Sequence, residues 1–226
     1  MKQNEIRINR DEIYKIPEYF IGHAQRFKHS ILIFECALKE IQTKFDVLNM
    51  EMSHRTKRNP ISSVKARIKK PESIIQKMMK DDVPLTIESL NQNVHDVAGV
   101  RVICSYIDDI YDVYNMLISQ DDITVVQVKD YIKNPKDNGY RSLHVIVEIP
   151  VFLSEGKEHA KVEIQFRTIA MDFWASLEHE IRYKKDFEDL ERVTNDLYEC
   201  AETIAETDER MMKIRKEISK AYPDLD

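Results

Sequence analysis

Asn138-Gly139-Tyr140-Arg141-Ser142-Leu143-His144 joins a strong turn signal to an apolar strand pattern, and the rest of this 226-residue chain is organised around it. Residues 134–139 combine proline, asparagine and glycine, which favour tight turns. Residues 143–149 are then mostly β-branched and apolar, and they predict a strand. The turn therefore brings an aromatic ring, an arginine and a histidine to the beginning of a strand.

A second strand is predicted for residues 161–167, where apolar side chains alternate with Glu163, Gln165 and Arg167. Alternation of this kind packs one face and directs a carboxylate, an amide and a guanidinium into the same space on the other. Residues 97–106 form a Val- and Ile-rich run that is typical of a buried central strand. Residues 123–128 predict one more strand.

Helices are predicted for residues 13–52, for residues 73–80 with Ser73 as the N-cap, and for residues 108–119 and 168–183. The basic stretch 54–70 contains Pro60 and interrupts the helical pattern before it. We therefore expect an α/β (α+β) fold, a mixed β-sheet flanked by helices. We also expect a single domain over 1–226, with an N-terminal helical region over 1–52, a core over 60–184 and a C-terminal helix over 187–222.

Both terminal segments carry apolar stripes. Apolar residues recur every three or four positions in residues 13–52, and the same spacing runs from Val193 to Ile218. The C-terminal stripe favours packing on the N-terminal helix, on another subunit, or on both. An intrachain two-helix hairpin fits the spacing equally well.

Composition excludes several classes of protein. Charged residues make up 33% of the chain but the formal net charge is −6, which argues against a general nucleic-acid or membrane-surface binder. The four glycines are too scattered for a Walker A loop, so bound phosphates would be held by Lys and Arg side chains. Three separated cysteines, and no apolar run near ~20 residues, predict a soluble protein of the cytoplasm.

Two groups of charged residues are candidates for a phosphate site. Arg67, Lys69 and Lys77 surround a predicted helix start, which favours phosphate oxygens, although such a patch is often only a solvated loop. Asp96 and Glu163 could supply a magnesium ion with two carboxylates from adjacent strands. An Asp before a strand is equally often a turn residue, and the sequence does not show that the two carboxylates converge.

Tyr140 is a candidate stacking surface because it follows the glycine of the turn, and a base stacked on an aromatic ring gains about 1–3 kcal/mol. A core-facing tyrosine at a hairpin edge is the alternative, with Arg141 and His144 as ordinary surface residues. His95-Asp96 and His179-Glu180 begin like metal motifs but lack the further ligands that those motifs need.

Four ordered motifs resemble the synthetase domain of the RelA/SpoT family. They are Arg67-Ile68-Lys69 with Pro71-Glu72-Ser73-Ile74, Asp96-Val97-Ala98-Gly99-Val100-Arg101, the Asn138–His144 stretch, and Val162-Glu163-Ile164-Gln165-Phe166-Arg167-Thr168. The resemblance covers about residues 20–220 and is strongest to the stand-alone small alarmone synthetases RelP and RelQ. It implies a nucleotidyltransferase-like core that transfers pyrophosphate from ATP to the 3′-hydroxyl of GDP or GTP. The products would be AMP and (p)ppGpp, for stringent-response signalling.

Carried over residue by residue, the resemblance implies that Asp96 and Glu163 bind Mg²⁺ and that Glu163 also acts as the base. The residues implied for ATP are Arg67 and Arg101, on either side of adenine, with Lys69, Ser73 and Lys77 at the phosphates. The residues implied for GDP or GTP are Tyr140, beneath guanine, with Lys136, His144, Gln165 and Lys129.

The resemblance also implies a homotetramer assembled through the terminal helices. Ser63 and Asp172 stand where RelQ is expected to carry an aromatic residue and an asparagine, which favours the RelP branch. Two other hypotheses compete with the synthetase. A catalytically silent nucleotide- or RNA-binding module would bind nucleotides without releasing AMP, and a purely structural oligomerisation protein would leave the polar strand face unexplained.

Overall fold

The structure, a computed structural model, describes residues 10–55, 58–183 and 190–222. The helices are α1 (Arg10–Ile13), α2 (Ala24–Arg55), α3 (Pro71–Lys80), α4 (Ile87–Asn93), α5 (Ile107–Ile118), α6 (Ile169–Tyr183) and α7 (Leu190–Ala221), with a 3₁₀ helix at Glu18–His23. The strands are β1 (Ile61–Ile68), β2 (Ala98–Cys104), β3 (Thr124–Asp130), β4 (Leu143–Leu153) and β5 (Gly156–Thr168).

The strands form one five-stranded mixed sheet in the order β1-β2-β5-β4-β3. β2 and β5 run parallel, and the other neighbours run antiparallel. β4 and β5 are the two arms of a long hairpin that turns at Gly156, whose φ of +146° is available to glycine and strained for other residues. The predicted mixed α/β fold is confirmed, but β5 rather than β2 lies at the centre of the sheet.

One face of the sheet is covered by α2. The apolar stripe of this helix is buried from Phe27 to Leu48, and the ring of Phe45 packs edge-on against Phe166 of β5 at 5.9 Å between ring centres. Burying a large apolar side chain contributes about 1.5–3 kcal/mol. The N-terminal stripe is therefore used within the chain, to hold the back of the sheet.

The predicted helix over residues 13–52 is wrong in its first third. Pro17 lies between α1 and the 3₁₀ helix, and the long helix begins only at Ala24. Proline has no N–H to donate and disfavours helical geometry at the residue before it, so a continuous helix cannot pass through this position.

β1 lies in the basic stretch that the sequence pattern did not predict as a strand. A β-bulge between Ile61 and Ser63 shifts the register, so the buried residues Ile61 and Val64 stand three positions apart instead of two. The bulge hides the alternation, and the exposed face carries Lys65 and Arg67. β1 therefore places Lys65 and Arg67 next to β2, opposite Arg101 and Gly99.

α7 packs mainly on α6 and α5, so the prediction that it packs on the N-terminal helix is not supported among the described residues. Ala201 and Asp208 face inwards, whereas Met211, Ile214 and Ile218 remain exposed. The predicted helix start at residue 187 lies outside the described residues. Within those residues no helix is both long and apolar enough to span a bilayer.

Candidate active site

Two rows of side chains cross the face of the sheet opposite α2. The longer row runs through five strands in direct cross-strand register: Lys65, Arg101, Gln165, His144 and Lys129. The neighbouring row contains Arg67, Gly99 and Glu163. Cross-strand neighbours share one face of a sheet, so residues distant in the chain become adjacent.

A cavity of about 250 Å³ opens on this face, and its lining includes Arg67, Asp96, Gly99, Arg101, Glu163 and Gln165. A methyl group added at Gly99 would have no protein atom closer than 4.0 Å. The missing side chain therefore leaves room beside Glu163 that the protein does not fill. Two arginines and two carboxylates line this space.

Asp96, just before β2, is held by two lysines. Its Oδ2 accepts hydrogen bonds from Lys69 Nζ at 2.5 Å and from Lys77 Nζ at 3.0 Å. Burial raises the pKa of the Asp96 carboxyl, but the two lysines outweigh burial and hold the pKa below its ordinary value. Its other oxygen, Oδ1, is buried without a partner among the described residues.

Glu163 ends a chain of hydrogen bonds that comes from the turn at Asn138 and Gly139 and the residues that follow it. His144 Nδ1 lies 3.1 Å from Glu163 Oε1, and His144 Nε2 lies 2.8 Å from the Tyr140 hydroxyl. The neutral tautomer with its proton on Nδ1 satisfies both contacts, because the tyrosine then donates to Nε2. Gln165 Nε2 donates to Glu163 Oε2 at 3.0 Å.

The protonation of Glu163 follows from these contacts. Burial raises the pKa of its carboxyl, but the hydrogen bonds from His144 and Gln165 bring the pKa below its ordinary value. Glu163 is therefore ionised at neutral pH and able to accept a proton or bind a cation.

The turn at Asn138 and Gly139 is held in place by α6 and α7. Gly139 has φ +82°, and a Cβ at this position would lie 2.5 Å from the Cβ of Ala201 in α7. Asn138 donates to Glu178 of α6 at 3.1 Å, and Arg141 donates to Glu202 of α7 at 2.9 Å. The glycine is needed both for the backbone conformation and for the close approach of α7.

Aromatic rings surround the front of the turn. Tyr131 packs edge-on against Tyr140 and His144, at 6.2 and 5.2 Å between ring centres. Lys136 Nζ lies 4.7 Å from the Tyr131 ring centre and 5.0 Å from that of Tyr140. An aromatic surface therefore lies beside the ammonium group of a long side chain. A ring can stack on a base, and an ammonium can bind its phosphates.

Residues 66–188 match the family described as a region found in RelA / SpoT proteins, which is more than half of the chain. The chain belongs to the RelA/SpoT family. It is 46% identical over 192 residues to the GTP pyrophosphokinase YwaC of Bacillus subtilis, covering 85% of this chain and 91% of that protein.

Solved RelA/SpoT structures agree with this membership. The small alarmone synthetase 1 of Bacillus subtilis bound to its product pppGpp is 35% identical, with a TM-score of 0.78 over 86% of this chain and 99% of that one. The same enzyme bound to AMPCPP is 30% identical, with a TM-score of 0.72 over 86% and 98% of the two chains. The resemblance to this family, predicted from four motifs, is confirmed.

In this RelA/SpoT chain most of the predicted site residues converge. Asp96, Glu163, Arg67, Arg101 and Gln165 line the cavity, and Lys69 and Lys77 contact Asp96. Tyr140, His144 and Lys136 lie together at the turn, and Lys129 stands at the end of the long row on exposed β3.

The prediction that Ser73 is the N-cap of its helix is wrong. The N-cap of α3 is Lys70 and Pro71 takes the first helical position, so Ser73 lies inside the first turn and is exposed. Proline at the first helical position needs no donor and has the right φ, and this preference outweighs the capping preference of serine.

Three residues near the site were not predicted to belong to it. Arg167 donates to the Tyr140 hydroxyl at 2.8 Å, Asp172 accepts from Arg167 at 3.0 Å, and Tyr131 packs on Tyr140. Arg167 shares the polar strand face with Glu163, which was a usable signal. Asp172 and Tyr131 carry no comparable signal, because the packing of α6 and the course of the loop after β3 decide their positions.

Proposed function

We propose that this chain transfers the β,γ-pyrophosphoryl group of ATP to the 3′-hydroxyl of GDP or GTP, forming AMP and (p)ppGpp. The observation that carries the proposal is the position of Glu163, between a cavity lined by cations and a turn that offers an aromatic ring. Membership of the RelA/SpoT family and the similarity to a GTP pyrophosphokinase support the same reaction. One catalytic unit over 1–226, with its core over 60–184, is part of this proposal.

The ATP side is the cation-lined cavity. Arg67 and Arg101 stand in adjacent strands, two positions apart in register, because Arg67 pairs with Gly99 and Arg101 with Lys65. Both line the cavity, and a planar guanidinium can stack on each face of an adenine. Lys69 and Lys77 neutralise Asp96 in the free protein and would turn to the ATP phosphates. Ser73, exposed in the first turn of α3, is proposed to support those phosphates.

The GDP or GTP side is the turn with its aromatic rings. Tyr140 is proposed to stack on guanine, and Lys136, already over this ring, to bind the 5′-phosphates. His144 and Gln165 both contact Glu163 and would orient the ribose hydroxyl towards it. Lys129, paired in register with His144, extends the positive row to the edge of the sheet.

Mg²⁺ is proposed as the cofactor, bound by Asp96 and Glu163. The partnerless, buried Oδ1 of Asp96 fits this role, since a hard cation prefers carboxylate oxygen and needs only one or two such ligands. Among the described residues, no group of three or more His, Cys, Asp or Glu side chains is arranged to hold a metal ion. When bound, Mg²⁺ would neutralise charge on the phosphoryl oxygens.

Glu163 is the proposed base. It takes the proton of the 3′-hydroxyl, the oxygen forms a bond to the β-phosphorus of ATP, and the bond between that phosphorus and the α,β-bridging oxygen breaks. AMP leaves with the electron pair of that bond. The hydrogen bonds from His144 and Gln165 hold the carboxylate in place during this step.

A homotetramer through terminal helices is proposed for the assembly. One face of α6 exposes Ile169, Phe173, Leu177 and Ile181, which are spaced four residues apart. α7 also exposes Tyr198, Met211, Ile214 and Ile218. Exposed stripes of this kind commonly bury themselves against another copy. Light scattering at micromolar concentration tests this, and a monomer would contradict it. The reaction is proposed to take place in the cytoplasm, where ATP and GDP are available.

The test of function is product analysis with ATP labelled at the γ-phosphate, in the presence of GDP and Mg²⁺. We expect the label to move into a guanosine product while unlabelled AMP accumulates. If GDP and ATP bind but no AMP forms, the chain is instead a silent nucleotide-binding module. If the label appears only in free phosphate, the chain is a hydrolase and the proposal is wrong.

A further inference from the structure

Asp172, in the first turn of α6, is shared by two arginines from different strands. Its Oδ1 accepts from Arg101 Nη1 at 3.1 Å and from Arg167 Nη1 at 3.0 Å. The carboxylate is largely buried, with 14% of its side chain exposed, and the Arg167 side chain is 6% exposed. A charge-assisted contact between groups this well shielded from solvent is stronger and better defined than a surface pair.

The two arginines serve opposite sides of the site. Arg101 lines the cavity proposed for ATP. Arg167 donates from Nη2 to the Tyr140 hydroxyl at 2.8 Å and to Gln165 Oε1 at 3.2 Å, and its guanidinium carbon lies 5.2 Å from the Tyr140 ring centre. An unbroken set of polar contacts therefore runs from the cavity wall, through Asp172, to the ring proposed for guanine.

Asp172 also offsets the repulsion between the two guanidiniums. Burial and the positive charge of Arg167 lower the pKa of Arg101, and the charge of Asp172 opposes them. Without the carboxylate, two like charges would face each other in a partly buried site and would move apart. Asp172 holds Arg101 by its edge, which leaves the faces of the guanidinium free to stack.

We propose that Asp172 is a positioning residue that couples the two substrate sides, so that binding of the ATP adenine on Arg101 fixes Arg167 and Tyr140 for the guanine nucleotide. The proposal rests on the proposed function, because it takes the two sides to be ATP and GDP. Coupling of this kind is reciprocal, and each nucleotide should tighten the other by the same factor.

The experiment measures the dissociation constant of GDP with and without saturating AMPCPP and Mg²⁺, by calorimetry on the full chain. In the wild type we expect GDP to bind about five-fold tighter or more when AMPCPP is present, the lower range of typical coupling. Asp172→Asn keeps the shape of the side chain and removes its charge. In this variant we expect the dissociation constants of GDP without and with AMPCPP to agree within about two-fold, and KM to rise for both nucleotides.

Arg167→Lys provides an independent variant if Asp172→Asn fails to fold. Lysine keeps the charge but cannot reach Asp172, Tyr140 and Gln165 through one planar fork, so the same loss of coupling is expected. The double variant should lose no more coupling than either single one, because both act through one chain of contacts. Glu51→Gln, an exposed carboxylate in α2 paired with Arg55, is the matched control and should keep the wild-type ratio.

Two results overturn the proposal: no coupling in the wild type, or wild-type coupling in Asp172→Asn even where its thermal stability falls. The latter would make Asp172 a structural residue of the first turn of α6. Failure of the proposed function looks different, because the wild type would then bind both nucleotides without forming AMP.

Discussion

The two sides of the site are built by different forces. On the side proposed for ATP the side chains are ordered by charge: Lys69 and Lys77 hold Asp96 beside the open cavity. On the side proposed for guanine the turn is ordered by packing: Gly139 lies against Ala201 of α7, and Trp174 of α6 donates to the Leu197 carbonyl of α7 at 2.9 Å.

This difference matches what each side must bind. A triphosphate brings its own negative charge, so cations that are neutralised by a carboxylate in the free protein can exchange one partner for another. A purine face brings no charge, and the ring that receives it must already be in position. Variants on the ATP side should therefore act on charge and chemistry, and variants on the guanine side on stability and acceptor binding.

The largest effect is expected for Glu163→Gln, at the boundary of the two sides. The amide keeps the shape but cannot accept the proton of the 3′-hydroxyl, so kcat should fall about 10²–10⁴-fold. AMP formation measures this, with circular dichroism as the control for the fold. Undiminished turnover in this variant would contradict the role of Glu163 as the base.

Tyr140→Ala tests the guanine side. Loss of one stacked base costs about 1–3 kcal/mol, so KM for GDP should rise about 5- to 150-fold while KM for ATP changes little. Tyr140→Phe is the matched control, because it keeps the ring and loses only the hydroxyl contacts with His144 and Arg167. Equal effects of both variants would show that the hydroxyl, and not the ring, matters.

Gly139→Ala tests whether packing holds the turn. A positive φ is strained for alanine, at about 1–3 kcal/mol, and the new Cβ would lie against Ala201. We expect the midpoint of urea unfolding to fall accordingly. Adding Ala201→Gly should remove the clash and leave the backbone strain, giving partial recovery. Full wild-type stability in the single variant would show that α7 does not hold the turn.

The smallest effect concerns the protonation of Glu163. Its pKa in the folded protein is below the ordinary value, so its contribution to stability is present above about pH 4.3 and is lost as the pH falls through the folded pKa. His144→Ala removes a hydrogen bond that favours the charged form, and the pKa of Glu163 should rise. Carbon-13 NMR titration of the carboxyl measures this; an unchanged pKa would rule out His144 as its partner.

Much of the fold could be predicted because its strongest patterns are local. The alternation in β5 and the turn at Asn138 and Gly139 are complete within short windows, and α2 shows a full apolar stripe. β1 was missed because its bulge breaks the alternation. The apolar spacing predicted a helix from residue 13, but Pro17 interrupts it and the long helix begins at Ala24.

The sequence predicted which residues belong to the site, but not which of them lie side by side across the strands. Motifs identified Asp96, Glu163 and Tyr140, whereas the rows that align Arg101 with Gln165 and His144 depend on strand pairing across the whole sheet. The role of Asp172 depends on where α6 packs, a long-range property that its own sequence neighbourhood does not encode.

The most direct measurement follows the reaction by phosphorus-31 NMR with ATP, Mg²⁺ and either GDP or 3′-deoxy-GDP. With GDP, we expect AMP and guanosine 5′-diphosphate 3′-diphosphate in equal amounts. With 3′-deoxy-GDP, which keeps the guanine and the 5′-phosphates but lacks the attacking hydroxyl, we expect no AMP. Equal AMP formation with both acceptors, together with free pyrophosphate, would contradict transfer to the 3′-hydroxyl.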